Sequence, residues 1–190
     1  LSSHYKKFKI LFGFTIILLI ISIFFNVYYI GKYRKYKSYI DEEIANTLRT
    51  MGASIKDINL TIDQVNKNKA ASKEDINNLA INYKEFAYGM QNLIYLNMRI
   101  REEEYSFKIE PYYLKIYYEL NIMNEKGTSF DFFEKDTFIF IQKITKEYLE
   151  IINSYLENID RTVSNEEWVD ILYQIDYVNN KYELPSSMLR

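Results

Sequence analysis

The sequence predicts an all-α protein, with one N-terminal transmembrane helix followed by a helical bundle of about four to five helices, the first coiled-coil-like. Three observations carry that expectation. Ile10 to Ile30 reads ILFGFTIILLIISIFFNVYYI and contains no charged residue. Beyond it, apolar residues recur at spacings of three and four. Breakers are scarce, with 5 Gly and 2 Pro in 190 residues.

The apolar run has only Thr15, Ser22 and Asn26 as polar interruptions. As a helix, ~21 residues rise ~31 Å, which matches the ~30 Å hydrocarbon core of a bilayer. Tyr28, Tyr29 and Tyr33 lie at one end, where amphipathic rings favour the interface, and lysines flank both ends. A cleaved signal peptide would have an apolar core of ~7–15 residues and then a small-x-small site. Here Asn-Val-Tyr-Tyr-Ile-Gly-Lys-Tyr-Arg follows instead, so the helix is expected to stay attached. The expected plan is a basic tail over 1–9, the membrane helix over 10–30 and a basic juxtamembrane segment over 31–39. An acidic bundle over 40–184 and a C-terminal tail over 185–190 complete it.

Charge divides the chain unevenly. Of 24 Lys/Arg, seven fall within residues 1–40 (Lys6, Lys7, Lys9, Lys32, Arg34, Lys35, Lys37), and none of the 26 Asp/Glu do. The remainder therefore carries 17 basic and 26 acidic residues, a net charge of −9. Such a domain repels nucleic acid and anionic surfaces. Basic residues on both sides of the span leave the positive-inside rule nearly balanced. A tail free of acids resists export, and the distal cluster soon meets Asp41, Glu42 and Glu43. The favoured orientation has the N-terminus in the cytoplasm and the bundle outside the cell membrane.

The first bundle helix carries Ile40, Ile44, Leu48, Met51, Ile55, Ile58, Ile62 and Val65, a heptad-like seam. The membrane helix is expected to run on into it, with Gly52 a point of local weakening. Asn66 to Ala71 reads as a polar loop, and Ser72 as the N-cap of a second helix with Glu74 and Asp75 in its first turn. That helix carries Ile76, Leu79, Ala80, Tyr83, Phe86, Ala87, Met90, Leu93, Ile94 and Met98, and should pack antiparallel to the first. Pro111 marks a boundary or first-turn position before Tyr113, Ile116, Tyr117 and Leu120, and Gly127 a stop. Asp131 with Glu134 resembles a capping box for a fourth long helix through Phe138, Ile141, Tyr148, Ile152, Tyr155 and Ile159. Phe138 to Ile141 alone could be a strand, but the longer helical period prevails. Ser164 with Glu167 reads as a capping box for a last helix carrying Trp168, Ile171, Leu172, Ile175 and Val178, ended by Leu184-Pro185.

Little chemistry is readable. The sequence has no cysteine, which excludes thiol catalysis, disulfides and zinc-thiolate sites. Its one histidine, His4, precedes the span. There is no phosphate-binding loop, dinucleotide fingerprint or nucleophile elbow, and Gly31, Gly52, Gly89 and Gly127 lie far apart. Asp41-Glu42-Glu43, Glu102-Glu103-Glu104 and Glu166-Glu167 read as solvated helix ends, because consecutive helical residues point in different directions. Asn59-Leu60-Thr61 fits a glycosylation sequon within a helical period. No catalytic, cofactor or metal site is expected.

Aromatic density between Tyr105 and Phe140 exceeds what one helix face can bury. Tyr112, Tyr113, Tyr117, Tyr118, Phe130, Phe132 and Phe133 form a candidate partner surface, against the alternative of ordinary packing in an AT-rich coding composition. Ile44, Leu48, Met51, Ile55, Ile58 and Ile62 form a candidate helix–helix seam. The expected function is that of a non-enzymatic, single-pass membrane-anchored interaction protein, with the bilayer and an envelope protein or a second copy as partners. Nucleic acid and metal are not expected. The rival readings are an extracytoplasmic sensory or ligand-binding domain, and an accessory or immunity-type subunit of a membrane transporter or toxin system.

Overall fold

The protein is described from a computed structural model, which covers residues 2–102, 105–107, 111–126, 135–185 and 188. It is all-α. Among the described residues six helices follow in order: α1 Ser2–Asn68, α2 Lys73–Arg101, α3 Tyr112–Lys126, α4 Lys135–Leu156, α5 Ile159–Ser164 and α6 Val169–Lys181. The chain divides into two compact units, Leu1–Glu42 and Glu43–Arg190.

In the first unit, α1 contains a stretch long and apolar enough to cross a membrane, none of it buried within the protein. Its side chains stand in the open from Leu11 through Ile30. The Thr15 hydroxyl donates to the Leu11 carbonyl at 2.9 Å, so its polar group is satisfied within the helix.

The second unit is a packed bundle. Ile44, Leu48, Met51, Ile55, Ile58, Ile62 and Val65 are all buried, the stripe expected from their spacing. Met51 lies against Gly89, Thr47 accepts from Asn92 at 2.8 Å, and Gln64 donates to Asp75 at 3.4 Å. These pairs run in opposite chain directions, so α1 and α2 are antiparallel. Helix α3 returns along α2, with Tyr113 against Phe86 and Asn124 donating to Asn77 at 3.0 Å. Helix α4 runs parallel to α2, joined by Tyr83–Thr145 and Phe86–Tyr148. Helix α6 runs antiparallel to α4, joined by Tyr148–Asn179 and Tyr155–Gln174.

The α2 cap is a full box. The Asp75 N–H donates to Ser72 Oγ at 3.1 Å, and the Ser72 N–H donates to the Asp75 carboxylate at 2.8 Å. Pro111 caps α3, its carbonyl accepting from Leu114 at 3.0 Å and Lys115 at 3.3 Å. Its missing N–H costs nothing there.

Gly52, read as a point of local weakening, lies inside the unbroken α1 where α1 meets α4, and a Cβ there would collide with Leu156. Three expectations are revised. The fourth helix ends at Leu156, and Ile159 belongs to the separate short helix α5. Ser164 does not cap the last helix. It lies at the end of α5 with its hydroxyl donating to Arg161 O at 3.2 Å, while Glu167 pairs with Arg161 at 3.0 Å. The chain turns at Glu166, whose φ is 59°, and tight three-residue hydrogen bonds from Val169, Asp170 and Ile171 lead into α6. Burial of Trp168 overrides the local capping motif. Met98 also departs from its expected stripe: it is exposed, and Leu96 and Asn97 take the buried positions. The expected capping pair Asp131 and Glu134, and Gly127, lie outside the described residues.

Candidate functional site

The candidate residues separate into an interior set and an exterior set. The seam residues Ile44, Leu48, Met51, Ile55, Ile58 and Ile62 are sealed within the bundle, so they hold this chain's own helices together. Tyr112 and Tyr113 are likewise buried, which removes them from the candidate partner surface. Tyr117 is half-buried, and Tyr118 is 53% exposed on α3, with its ring 5.3 Å from that of Tyr117. Phe130, Phe132 and Phe133 lie outside the described residues.

Tyr112 and Tyr113 go inward where the start of α3 meets α6 and α2. The Tyr113 ring meets Phe86 edge-on at 5.6 Å, and the Tyr148 ring stacks on Phe86 at 5.6 Å. Such ring pairs add specific geometry to a large apolar burial. The Tyr112 hydroxyl donates to the Tyr182 carbonyl at 2.5 Å, and its N–H donates to Asn179 Oδ1 at 3.2 Å. The same Oδ1 accepts from the Tyr148 hydroxyl at 2.6 Å. Because a backbone N–H can only donate, Tyr112 fixes which amide atom of Asn179 faces it. The Asn179 Nδ2 is buried and has no hydrogen-bond partner among the described residues.

A second buried link joins Tyr83 to Thr145 at 2.5 Å. Thr145 spends its proton on the Ile141 carbonyl at 2.7 Å, so Tyr83 is the donor. Burial raises the pKa of Tyr83, Tyr113 and Tyr148 above the ordinary tyrosine range, opposed at Tyr83 by the Thr145 hydrogen bond. The Tyr83 and Tyr148 phenols act as neutral structural donors.

On the outside, Glu147 accepts from Lys181 at 2.8 Å and from the Tyr182 hydroxyl. Partial burial pushes its carboxyl up, but those hydrogen bonds and the charges of Lys181 and Lys143 prevail and hold it below its usual value. The ammonium groups of Lys143 and Lys181 lie 4.6 and 5.0 Å from the Tyr182 ring centre. This clamp fastens the end of α6 to α4. Among the described residues, no three Asp, Glu or His side chains converge as a metal-binding group.

Sequence reasoning passed over one exterior feature. Ile81, Tyr88 and Tyr95 are each at least half exposed and recur every seven residues on α2. Their seven-residue spacing was the available signal, although elimination from the expected stripe would have misplaced Leu96, which is buried. Ile122 joins Tyr118 on the exposed side of α3. Comparison with protein-family models, curated proteins and solved structures returns no match for this chain.

Proposed function

We propose that this chain is a non-enzymatic, single-pass membrane-anchored protein whose helical bundle acts outside the cytoplasmic membrane as an interaction module for another envelope protein or a second copy. The observation that carries the anchoring is the unburied apolar stretch of α1, with Phe24 at 72% exposure. In water each such Leu, Ile or Phe forgoes about 1.5–3 kcal/mol of transfer free energy, and a bilayer removes that cost. The internally bonded Thr15 hydroxyl suits a lipid surround, where no water is present to satisfy it.

Support for the interaction half comes from large apolar side chains left open on the bundle, notably Tyr88 and Tyr95 on α2 and Tyr118 and Ile122 on α3. The acid-free basic tail and the acidic bundle support the orientation. A photoreactive phenylalanine analogue at Tyr118 or Tyr88, illuminated in living cells, tests the interaction. A discrete cross-linked product is expected there and not at the exposed control position Asn153. Absence of a product from both aromatic positions would contradict the interaction reading. Because the sequence has no cysteine, Asn153→Cys also reports orientation. A membrane-impermeant maleimide should label it in intact cells, and labelling only after lysis would place the bundle inside.

A further inference from the structure

We propose that Lys32, Arg34, Lys35 and Lys37 form a collar that selects anionic phospholipid headgroups over zwitterionic ones around the end of the membrane span. This rests on the membrane-anchored reading. The charge supply is one-sided: residues 1–40 contain no carboxylate, and the first ones are Asp41 and Glu42. Lys32, Arg34 and Lys35 are exposed, and among the described residues none of the three is in an ion pair. Lys37 reaches Asp41 at 3.3 Å.

Height along the helix matches the headgroup layer. At ~1.5 Å per residue, the four cations lie ~3–10 Å beyond Ile30, within the ~5–8 Å polar layer or at its outer edge. Asp41 and Glu42 fall ~16–18 Å beyond Ile30, so their charge stands clear of the lipid phosphates. Lys37 alone reaches the acidic band, while Lys32, Arg34 and Lys35 lie ~9–14 Å short of Asp41 along the helix axis.

Direction around the helix decides between a lipid and a protein partner. At ~100° per residue, Lys32, Arg34, Lys35 and Lys37 are distributed round the whole circumference. A protein docks on one side of a helix, whereas a lipid annulus surrounds it. Tyr36 and Tyr39, 50% and 64% exposed, lie with Tyr28 within about 40° of Lys32 round the helix. The Lys32 ammonium lies 5.9 Å from the Tyr28 ring centre. Tyrosines at that height hold the helix at the interface. Arg34 can grip a phosphodiester with two parallel hydrogen bonds, and the lysines act as point charges. A zwitterionic headgroup carries its own cation, which repels the collar and cancels the gain.

The test uses the full chain in phosphatidylcholine vesicles containing spin-labelled phosphatidylglycerol or spin-labelled phosphatidylcholine. The motionally restricted signal measures lipid held at the protein. The native chain should favour phosphatidylglycerol roughly threefold or more at low salt, with the preference shrinking as salt rises. Lys32→Gln, Arg34→Gln, Lys35→Gln and Lys37→Gln combined should bring it close to one, while Lys6→Gln, Lys7→Gln and Lys9→Gln combined should leave most of it. No preference in the native chain, an undiminished preference in the collar variant, or its loss in the tail variant alone would overturn the collar. Vesicles floated through 1 M salt report anchoring separately: a chain that floats while showing no preference keeps its anchor and loses the collar. A chain that fails to float overturns both.

Discussion

The Tyr148 hydroxyl donates to Asn179 Oδ1 at 2.6 Å inside the bundle, tying α4 to α6, and the Tyr112 N–H of α3 shares the same acceptor. Three helices thus meet at one amide. Asn179→Ala would strand two buried donors and open a small cavity, and should cost about 2–3 kcal/mol. Tyr148→Phe removes one donor and leaves the acceptor occupied by Tyr112, so about 1 kcal/mol is expected. In the Asn179→Ala background Tyr148→Phe should be nearly neutral, since the lost partner no longer matters. Trp168, the single tryptophan and fully buried, reports unfolding by fluorescence in denaturant titrations of the detergent-solubilised chain.

Two glycines mark close helix approaches and should respond differently. Alanine gains about 1 kcal/mol of helix propensity at either site. At Gly89 the new Cβ meets Met51 Cγ and Sδ, near the base of a buried side chain that cannot swing clear by its tip alone. Gly89→Ala should therefore lose about 1–3 kcal/mol net, partly recovered by Met51→Ala in the double variant. At Gly52 the obstacle is the Leu156 Cδ1 tip, which can rotate away, so Gly52→Ala should fall within about 1 kcal/mol of the native chain. Thermal melts followed by circular dichroism compare the two.

Alkaline pH should unfold the bundle. Tyr83, Tyr113 and Tyr148 are raised in the folded state, chiefly by burial, so each favours folding fully below the ordinary pKa near 10. As pH rises above ~10, the unfolded chain ionises first, and each such tyrosine removes about 1.4 kcal/mol of stability per pH unit until its folded pKa is reached. Absorbance titration at the phenolate band should show these three ionising only on unfolding. At the acid end the sign reverses. Glu147 is lowered in the folded state, so its contribution is present above ~4.3 and fades as pH falls through its folded value.

Much of the bundle was legible in the sequence because burial follows helical spacing. Ile44 to Val65 and Ile76 to Leu93 lie inside largely where the period places them, and Ser72 caps α2 as its residue type implies. What escaped depends on distant partners. Tyrosine suits either surface or core, and the inward position of Tyr112 is secured by Tyr182, 70 residues away in the chain. Ser164 carries a local capping signal that loses to the burial of Trp168 and the Arg161–Glu167 pair. Gly52 reads locally as a helix weakness, and only the approach of Leu156 explains a glycine there. The candidate surface was legible in composition more than in position: Tyr118 is outside, while Tyr112 and Tyr113 are core.

The central claim is that the exposed apolar stretch of α1 resides in lipid. Washing membranes from cells that make the full chain with alkaline carbonate, then separating pellet from supernatant, tests it most directly. Retention in the pellet, with release only by detergent, is the predicted result. Release into the carbonate supernatant would contradict membrane anchoring and require another partner to cover Leu11 through Ile30.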